Sequence, residues 1–269
     1  TITKTINGFA QKGPFITGSS VTVYELQEDL TATGKSYNAV ITDNKGAFSA
    51  ENIELSSNYV SLRADGFYFN EVLGDQSVAQ ITLYALADVS NQSSININIL
   101  TTIEKPRVEY LMKDGKSFSE AKSQAEQEIL AIFNIEKNDI NNFESLDIAQ
   151  SGEDNGILLT ITSVIQGYNS ESELTSLIAD ISDDIKLDGK IDDTGLGKKL
   201  ITNANNIKAD EIASNLSKRY EELGVTAKIP EFGEYLTQFI ENTEFEPEQS
   251  LISYPDKGIY AENILSLTR

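Results

Sequence analysis

The chain contains no cysteine, no histidine and no tryptophan among its 269 residues. Disulfides, zinc thiolate sites, cysteine nucleophiles and histidine general bases are therefore excluded, and the serine–histidine triad with them. Without tryptophan the chain also lacks the largest aromatic side chain for stacking on a sugar. A cysteine-free chain is compatible with export, where a free thiol is a liability.

Basic residues are scarce as well. The chain has 21 lysines and arginines against 42 aspartates and glutamates, and its formal net charge is −21. Nucleic acid is not an expected partner, because phosphate binding needs a face rich in lysine and arginine. Adsorption to an anionic lipid surface is disfavoured for the same reason. There is no run of about 18 apolar residues, so the sequence predicts no transmembrane segment.

Short alternating runs fill the first third of the chain. Between Val21 and Val72, apolar and polar residues alternate, and Gly, Asn and Asp separate the runs. This pattern is typical of half-buried antiparallel strands joined by tight turns. Residues 43–46 read as one such turn, and Gly34 reads as part of a loop. Residues 1–88 are thus predicted to form about seven short strands, as in a β-sandwich.

Three motifs in this part share a recognisable order. They read K-G-P-F-I-T-G-S-S-V-T-V over residues 12–23, T-D-N-K-G-A-F-S over 42–49 and Y-V-S-L-R-A-D-G-F-Y over 59–68. Together they resemble the carboxypeptidase-regulatory-like, or transthyretin-like, β-sandwich family. The resemblance implies a non-catalytic spacer or adhesion module. Such modules occur on surface proteins and lipoproteins of Bacteroidetes-type bacteria.

The period of the pattern changes to that of helices after residue 88. Ser117 with Glu120, and Ser170 with Glu173, have the spacing of capping boxes at helix starts. A further helix is expected to begin near residues 101–102, with Pro106 in its first turn. The predicted fold class is α+β: an N-terminal antiparallel β-sandwich and a C-terminal all-α helical bundle.

Two domains and a C-terminal segment follow from these patterns. The β-sandwich is assigned to residues 1–88, the helical domain to 89–247, and an extended segment with a turn at 254–258 to residues 248–269. The chain begins with Thr1, not Met, so we expect a processed product that has lost a secretion signal. The last segment is expected to lead to a further domain.

One acidic segment has some features of a calcium loop. Asp184, Asp188 and Asp192 are its candidate metal ligands, around an Asp–Gly turn. Lys186 occupies a position where a ligand is needed, which counts against the assignment. The alternative is an acidic turn between two helices. The sequence predicts no cofactor.

Aromatic residues on the predicted strands offer a candidate binding surface. Tyr59, Tyr68 and Tyr84 are the candidate ligand-binding residues, because some aromatics of a half-buried strand must face outward. The alternative is that they belong to the core of the sandwich.

These observations predict a non-catalytic binding or adhesion module of an exported bacterial protein. Its expected place is the cell surface or outer membrane, held there by a lipid anchor, and its expected partner is a protein or a glycan. One alternative is a carbohydrate-processing hydrolase that uses a carboxylate pair in the helical domain. Another is a purely structural spacer.

Overall fold

The computed structural model describes residues 2–248. In this part of the chain, eight strands precede seven helices, and all pairs between the strands are antiparallel. The strands are β1 (Ile2–Phe9), β2 (Ser20–Leu26), β3 (Ala32–Val40), β4 (Ala47–Leu55), β5 (Tyr59–Gly66), β6 (Phe69–Asn70), β7 (Asp75–Gln76) and β8 (Ile81–Asp88).

The largest sheet has four strands in the order β3-β2-β5-β8, while β1 pairs with β4 and β6 with β7. The alternation of the sequence sets the register: Val23 of β2 lies opposite Tyr37 of β3 and Leu62 of β5. Val23 and Leu62 are completely buried, and they share one apolar core with Phe48 and Ile53 of β4. The predicted mixture of antiparallel strands and later helices is confirmed at this level.

The turn expected at residues 43–46 is confirmed. Gly46 has φ +77°, and a Cβ at this position would lie 2.4 Å from the carbonyl oxygen of Ala10. The loop expected at Gly34 is wrong, because this residue lies within β3. The register between β2 and β3 shifts next to Gly34, whose φ of +90° fits an irregular edge strand.

Residues 93–98, here called the linking segment, run alongside β1 and not straight into a helix. The backbone N–H of Asn7 donates to Ser93 O and that of Ile97 to Phe9 O, at 2.9 and 2.8 Å. These contacts form parallel bridges on the edge of β1 that β4 leaves free. The linking segment therefore extends the two-stranded sheet.

Seven helices and one 3₁₀ turn follow. They are α1 (Ile99–Lys113), α2 (Phe118–Ile132), the 3₁₀ turn (Phe143–Ser145), α3 (Glu153–Gln166), α4 (Glu171–Asp188), α5 (Thr194–Asn206), α6 (Ala209–Glu222) and α7 (Gly233–Asn242). Both predicted capping boxes are confirmed: Ser117 caps α2 and Ser170 caps α4, each with the glutamate three residues later. In this part of the chain no helix is both long and apolar enough to cross a membrane.

The position predicted for Pro106 is wrong. Helix α1 begins earlier than expected, because Asn98 and Thr101 form a reciprocal capping box at its start. Pro106 therefore lies in the interior of the helix and not in its first turn. A proline there cannot donate the hydrogen bond that Thr102 O would otherwise accept.

The first turn of α1 covers the free edge of β8. The hydroxyl of Thr101 donates to Tyr84 O at 2.6 Å, and the hydroxyl of Thr102 accepts from Tyr84 N at 2.9 Å. A side-chain cover of this kind protects an exposed sheet edge from pairing with another chain.

The apolar core continues without a break from the sheets into the helices. Leu83 of β8, Ile103 of α1 and Ile161 of α3 are completely buried members of the same cluster. The predicted domain boundary at residue 88 coincides with the end of β8, but division into two domains stays a prediction. The predicted C-terminal segment lies, from residue 249 on, outside the described residues.

The Asn98 side chain should be important for stability. Its Oδ1 accepts from Thr101 N at 3.0 Å, and its Nδ2 donates to Phe143 O at 2.9 Å, both in buried surroundings. We expect Asn98→Ala to lower the free energy of unfolding by about 2–3 kcal/mol, because a cap is lost and a carbonyl is left unpaired. Urea denaturation measures this. The exposed Asn91→Ala is the control, and equal stability of the two variants would contradict the assignment.

Candidate functional site

Tyr68 does not reach the surface. Its side chain is completely buried, and its hydroxyl donates to Gln166 Oε1 of α3 at 3.0 Å. The ring lies 6.3 Å from that of Phe15, measured between centroids, and 5.4 Å from Lys12 Nζ. Tyr68 thus joins the strands to the helices and lacks the exposed ring that the ligand-binding prediction needs.

Tyr59 and Tyr84 lie on one face of the four-stranded sheet and are half-buried. The ring of Tyr59 packs against Phe118 of α2, with 5.0 Å between the ring centroids. Lys105 Nζ of α1 lies 5.8 Å from the centroid of the Tyr84 ring. The structure therefore brings two of the three predicted tyrosines to one face, and helices α1 and α2 partly cover both.

The three candidate metal ligands lie at the turn between α4 and α5. Asp184 Oδ2 accepts the backbone N–H groups of Asp192 and Asp193 at 2.9 and 3.0 Å, and Asp188 Oδ1 accepts that of Lys190 at 3.0 Å. Across residues 2–248, no group of three or more acidic side chains is arranged to hold a metal ion. These contacts fit the alternative, an acidic turn between helices whose carboxylates order its backbone.

A polar depression of about 480 Å³, here called the amide pocket, opens between the end of β8, α2 and the 3₁₀ turn. Its size is in the range of small-ligand sites. Side-chain amides and hydroxyls form most of its wall, two apolar side chains form part of its edge, and charged side chains lie at its base. The lining residues are Asp88, Ser90, Asn91, Gln92, Phe118, Ser119, Lys122, Ser123, Glu126, Gln127, Asn138, Ile140, Asn142 and Glu144.

A buried lysine with three glutamates, here called the Lys122 cluster, forms the base of the pocket. Lys122 Nζ donates to a carboxylate oxygen of Glu104, lies 2.7 Å from Glu144 Oε2 and lies 3.9 Å from Glu126 Oε1. The glutamates come from α1, α2 and the 3₁₀ turn, and all four side chains are buried. The cluster thus joins three elements and carries more negative than positive charge.

Two asparagines of the linking segment hold the 3₁₀ turn, and Glu144 with it. Asn98 Nδ2 donates to Phe143 O, and Asn96 Nδ2 donates to Leu146 O, both at 2.9 Å. The backbone N–H of Asn96 donates to Glu144 O at 2.7 Å. Glu144 is therefore placed by contacts made far away in the sequence, at the strand-like segment beside β1.

Burial and like charge shift the proton affinities in the cluster. Burial raises the pKa of Glu126 to about 7; Lys122 opposes this rise and Glu144 adds to it. Burial also raises the pKa of Glu104 well above its usual range. Burial lowers the pKa of Lys122, but the surrounding carboxylates outweigh this effect and the pKa is raised. The lysine is therefore charged at neutral pH, while Glu126 titrates close to neutrality.

A second buried ion pair lies deeper in the molecule. Lys12 Nζ is 2.5 and 2.6 Å from the two carboxylate oxygens of Glu71, and both side chains are completely buried. Burial lowers the pKa of Lys12 and raises that of Glu71. Asn215 of α6 donates to Glu71 O at 3.0 Å. This pair joins the chain after β1 to the loop after β6 and, through Asn215, to a helix.

Sequence reasoning did not single out the Lys122 cluster. The chain holds 42 acidic residues, so a pair of carboxylates in the sequence indicates nothing by itself. One local signal was present: Lys122 and Glu126 are four residues apart beside Ala121 and Ala125, which belong to the apolar side of α2. Charged residues next to the buried side of a helix suggest a paired, buried position.

No family model, curated protein or solved structure matches the chain. The resemblance to the carboxypeptidase-regulatory-like β-sandwich family therefore stays a prediction, based on its three motifs. The geometry of the amide pocket is the main basis on which a function can be argued.

Glu126 should make stability depend on pH. Its pKa is higher in the folded protein than in the unfolded chain, so the folded state binds the extra proton between about pH 4.5 and 7. The stability that this proton contributes is complete at pH 4 and is lost as the pH rises to 8. Glu126→Gln should therefore match the wild type near pH 4 and exceed it by on the order of 2–3 kcal/mol at pH 8.

Urea denaturation of both proteins across this pH range checks the prediction. Glu136→Gln is a matched control, because it removes the same charge at an exposed position outside the amide pocket. A constant difference between wild type and Glu126→Gln at all pH values would contradict the raised pKa.

Proposed function

We propose that this protein is an exported, non-catalytic module of a bacterial surface protein and that it binds a glycan in the amide pocket. The supporting observation is the concentration of amide and hydroxyl groups in the pocket wall, several of which are exposed and open to a ligand. The side chains of Asn91, Asn138 and Asn142 make no hydrogen bond to any residue in the range 2–248. Each has two N–H donors and one acceptor oxygen to offer.

Sugars can form hydrogen bonds with a wall of amides and hydroxyls. A sugar hydroxyl both donates and accepts, and an amide can satisfy both of these needs at once. Ser119 and Ser123 of α2, both exposed, add hydroxyl groups to the same wall. A ligand without hydrogen-bonding groups would displace water from these amides, and the hydrogen bonds that the water made would be lost.

An aromatic edge completes the pocket. Phe118 lines it, and the ring of Tyr59 packs against the ring of Phe118. The C–H face of a sugar ring packs on such aromatic surface while its hydroxyls meet the amides. Tyr59, which the sequence assigned to a binding surface, would thus contribute to binding indirectly, by its contact with Phe118.

The wider assignment rests on the three sequence motifs. In this proposal the strands form a transthyretin-like β-sandwich, with the helices as a second, bundled unit. The inward-facing residues of the two main sheets meet in one apolar core, which supports two face-packed layers. The expected setting is extracellular: a lipoprotein of the outer membrane that takes part in cell adhesion. Surface labelling of intact cells that produce the full-length protein tests this setting.

Binding to a glycan array tests the function itself. The wild-type protein should retain a defined group of glycans, and Asn142→Ala should lower the affinity at least about tenfold because a polar contact to the ligand is lost. Asn206→Ala is a matched control, since this exposed asparagine lies on α5 and not in the pocket. If no glycan binds, or if both variants bind equally, the pocket is not a glycan site, and the spacer alternative is favoured.

A second function is supported by Glu126 and Glu144. Both line the pocket, and the pKa of Glu126 near 7 suits a general acid that protonates a leaving sugar oxygen. In this alternative the protein is a carbohydrate-processing hydrolase with Glu144 as the second carboxylate.

Release of new reducing ends from bound glycans distinguishes the two functions. Turnover that Glu126→Gln abolishes and Glu136→Gln leaves intact would support the hydrolase. Binding without turnover, at pH values on both sides of 7, would support the non-catalytic module.

A further inference from the structure

We propose that the amide pocket prefers a ligand that carries an ammonium group, such as a sugar with a free amine, and that Glu126 receives this group. This inference rests on the proposed function, since it names the class of sugar that the same pocket takes. It concerns the charged base of the pocket, whereas glycan binding as such depends on the amide wall.

The base of the pocket has an excess of carboxylates. Three glutamates surround Lys122, and Asp88 lines the pocket from the end of β8. Lys122 donates hydrogen bonds to Glu104 and Glu144. It forms an ion pair with Glu126 at 3.9 Å, a distance that is too long for a hydrogen bond. Within residues 2–248, one carboxylate of the cluster thus has no cation at hydrogen-bond distance.

Glu126 is that carboxylate. Its side chain is only 6% exposed, yet it lines the pocket. Oε1 accepts from Phe143 N at 3.4 Å, which is the long end of the hydrogen-bond range, and Oε2 has no hydrogen-bond partner within residues 2–248. Buried polar atoms normally have a hydrogen-bond partner. A positively charged donor at Oε2 would supply one and would bring a cation closer than Lys122 does.

A second carboxylate oxygen of the cluster also lacks a hydrogen-bond donor among the described residues. Glu104 Oε2 is buried without any partner in the described chain. Glu104 does not line the pocket, so a ligand there reaches Glu126 and not Glu104. An ammonium group in the pocket would donate to Glu126 and add positive charge beside the cluster.

A proton competes with the ammonium group for Glu126. The titratable groups that surround this carboxylate are Lys122 on the same helix, Glu104 from α1, Glu144 from the 3₁₀ turn and Asp88 at the end of β8. Below pH 7 the protonated form of Glu126 gains population, and it attracts a cation less. The preference for an amine should therefore weaken as the pH falls from 7 to 5.

A pair of trisaccharides that differ at their amino groups tests the inference. One is the trimer of β-1,4-linked glucosamine, and the other is its fully N-acetylated form, in which acetylation removes the charge. Isothermal titration at pH 6.8 and physiological salt should show the amine form to bind tighter by roughly tenfold to a hundredfold, as expected for a hydrogen bond to a charged group. The sugar amines carry at least as much charge at pH 5 as at pH 6.8, so a smaller difference at pH 5 would report protonation of Glu126 and not a change in the ligand.

Two variants test whether Glu126 causes the preference for the amine. Glu126→Gln should remove the difference between the trisaccharides, whereas Glu136→Gln should keep it, although both variants lower the total negative charge equally. The second variant thereby controls for general attraction of cations to an acidic protein. Thermal unfolding of each variant confirms that it is folded.

The outcomes separate the inference from the function on which it rests. Equal affinity for the two trisaccharides, or a preference that survives in Glu126→Gln, overturns the inference and leaves glycan binding standing. If neither trisaccharide binds at millimolar concentration, the inference is overturned. A glycan array without any binding then removes the proposed function as well.

Discussion

The alternation of isoleucine and asparagine in residues 95–98 of the linking segment positions several other elements of the fold. Because the segment is extended, its isoleucines face the apolar core while Asn96 and Asn98 face the 3₁₀ turn. Its backbone pairs with β1 at the same time, and Asn98 also starts α1. One short segment thus fixes a sheet edge, a helix and the turn that carries Glu144.

The Lys122 cluster is an electrostatically unfavourable feature of the fold. Burial of three carboxyl groups with one ammonium group raises the pKa of Glu104 and Glu126, and a well-packed apolar core of the same volume would often be as stable or more so. The cluster nevertheless lies at the base of a pocket whose wall has unpaired amides. Features that weaken stability next to a polar pocket are typical of functional sites, where stability is exchanged for binding.

Local signals in the sequence predicted local structure well. The capping box of Ser117 and the turn at Gly46 depend only on residues a few positions away, so both could be recognised. Pro106 was misplaced because the local capping box of Asn98 and Thr101 was not recognised, and Gly34 was misplaced because its strand is held by pairing with β2. The candidate site could not be predicted, since Lys122 and its three glutamates approach only when α1, α2 and the 3₁₀ turn pack together. Tyr68 fits the strand pattern, but only tertiary packing buries it.

A nuclear magnetic resonance titration can show whether a sugar occupies the amide pocket. Backbone and side-chain amide signals would be followed while an oligosaccharide is added to the isotope-labelled protein. If a sugar binds there, the shifts should concentrate on Asn91, Gln92, Asn142 and the first turns of α2. Shifts confined to another part of the surface, or no shifts at saturating oligosaccharide, would contradict it.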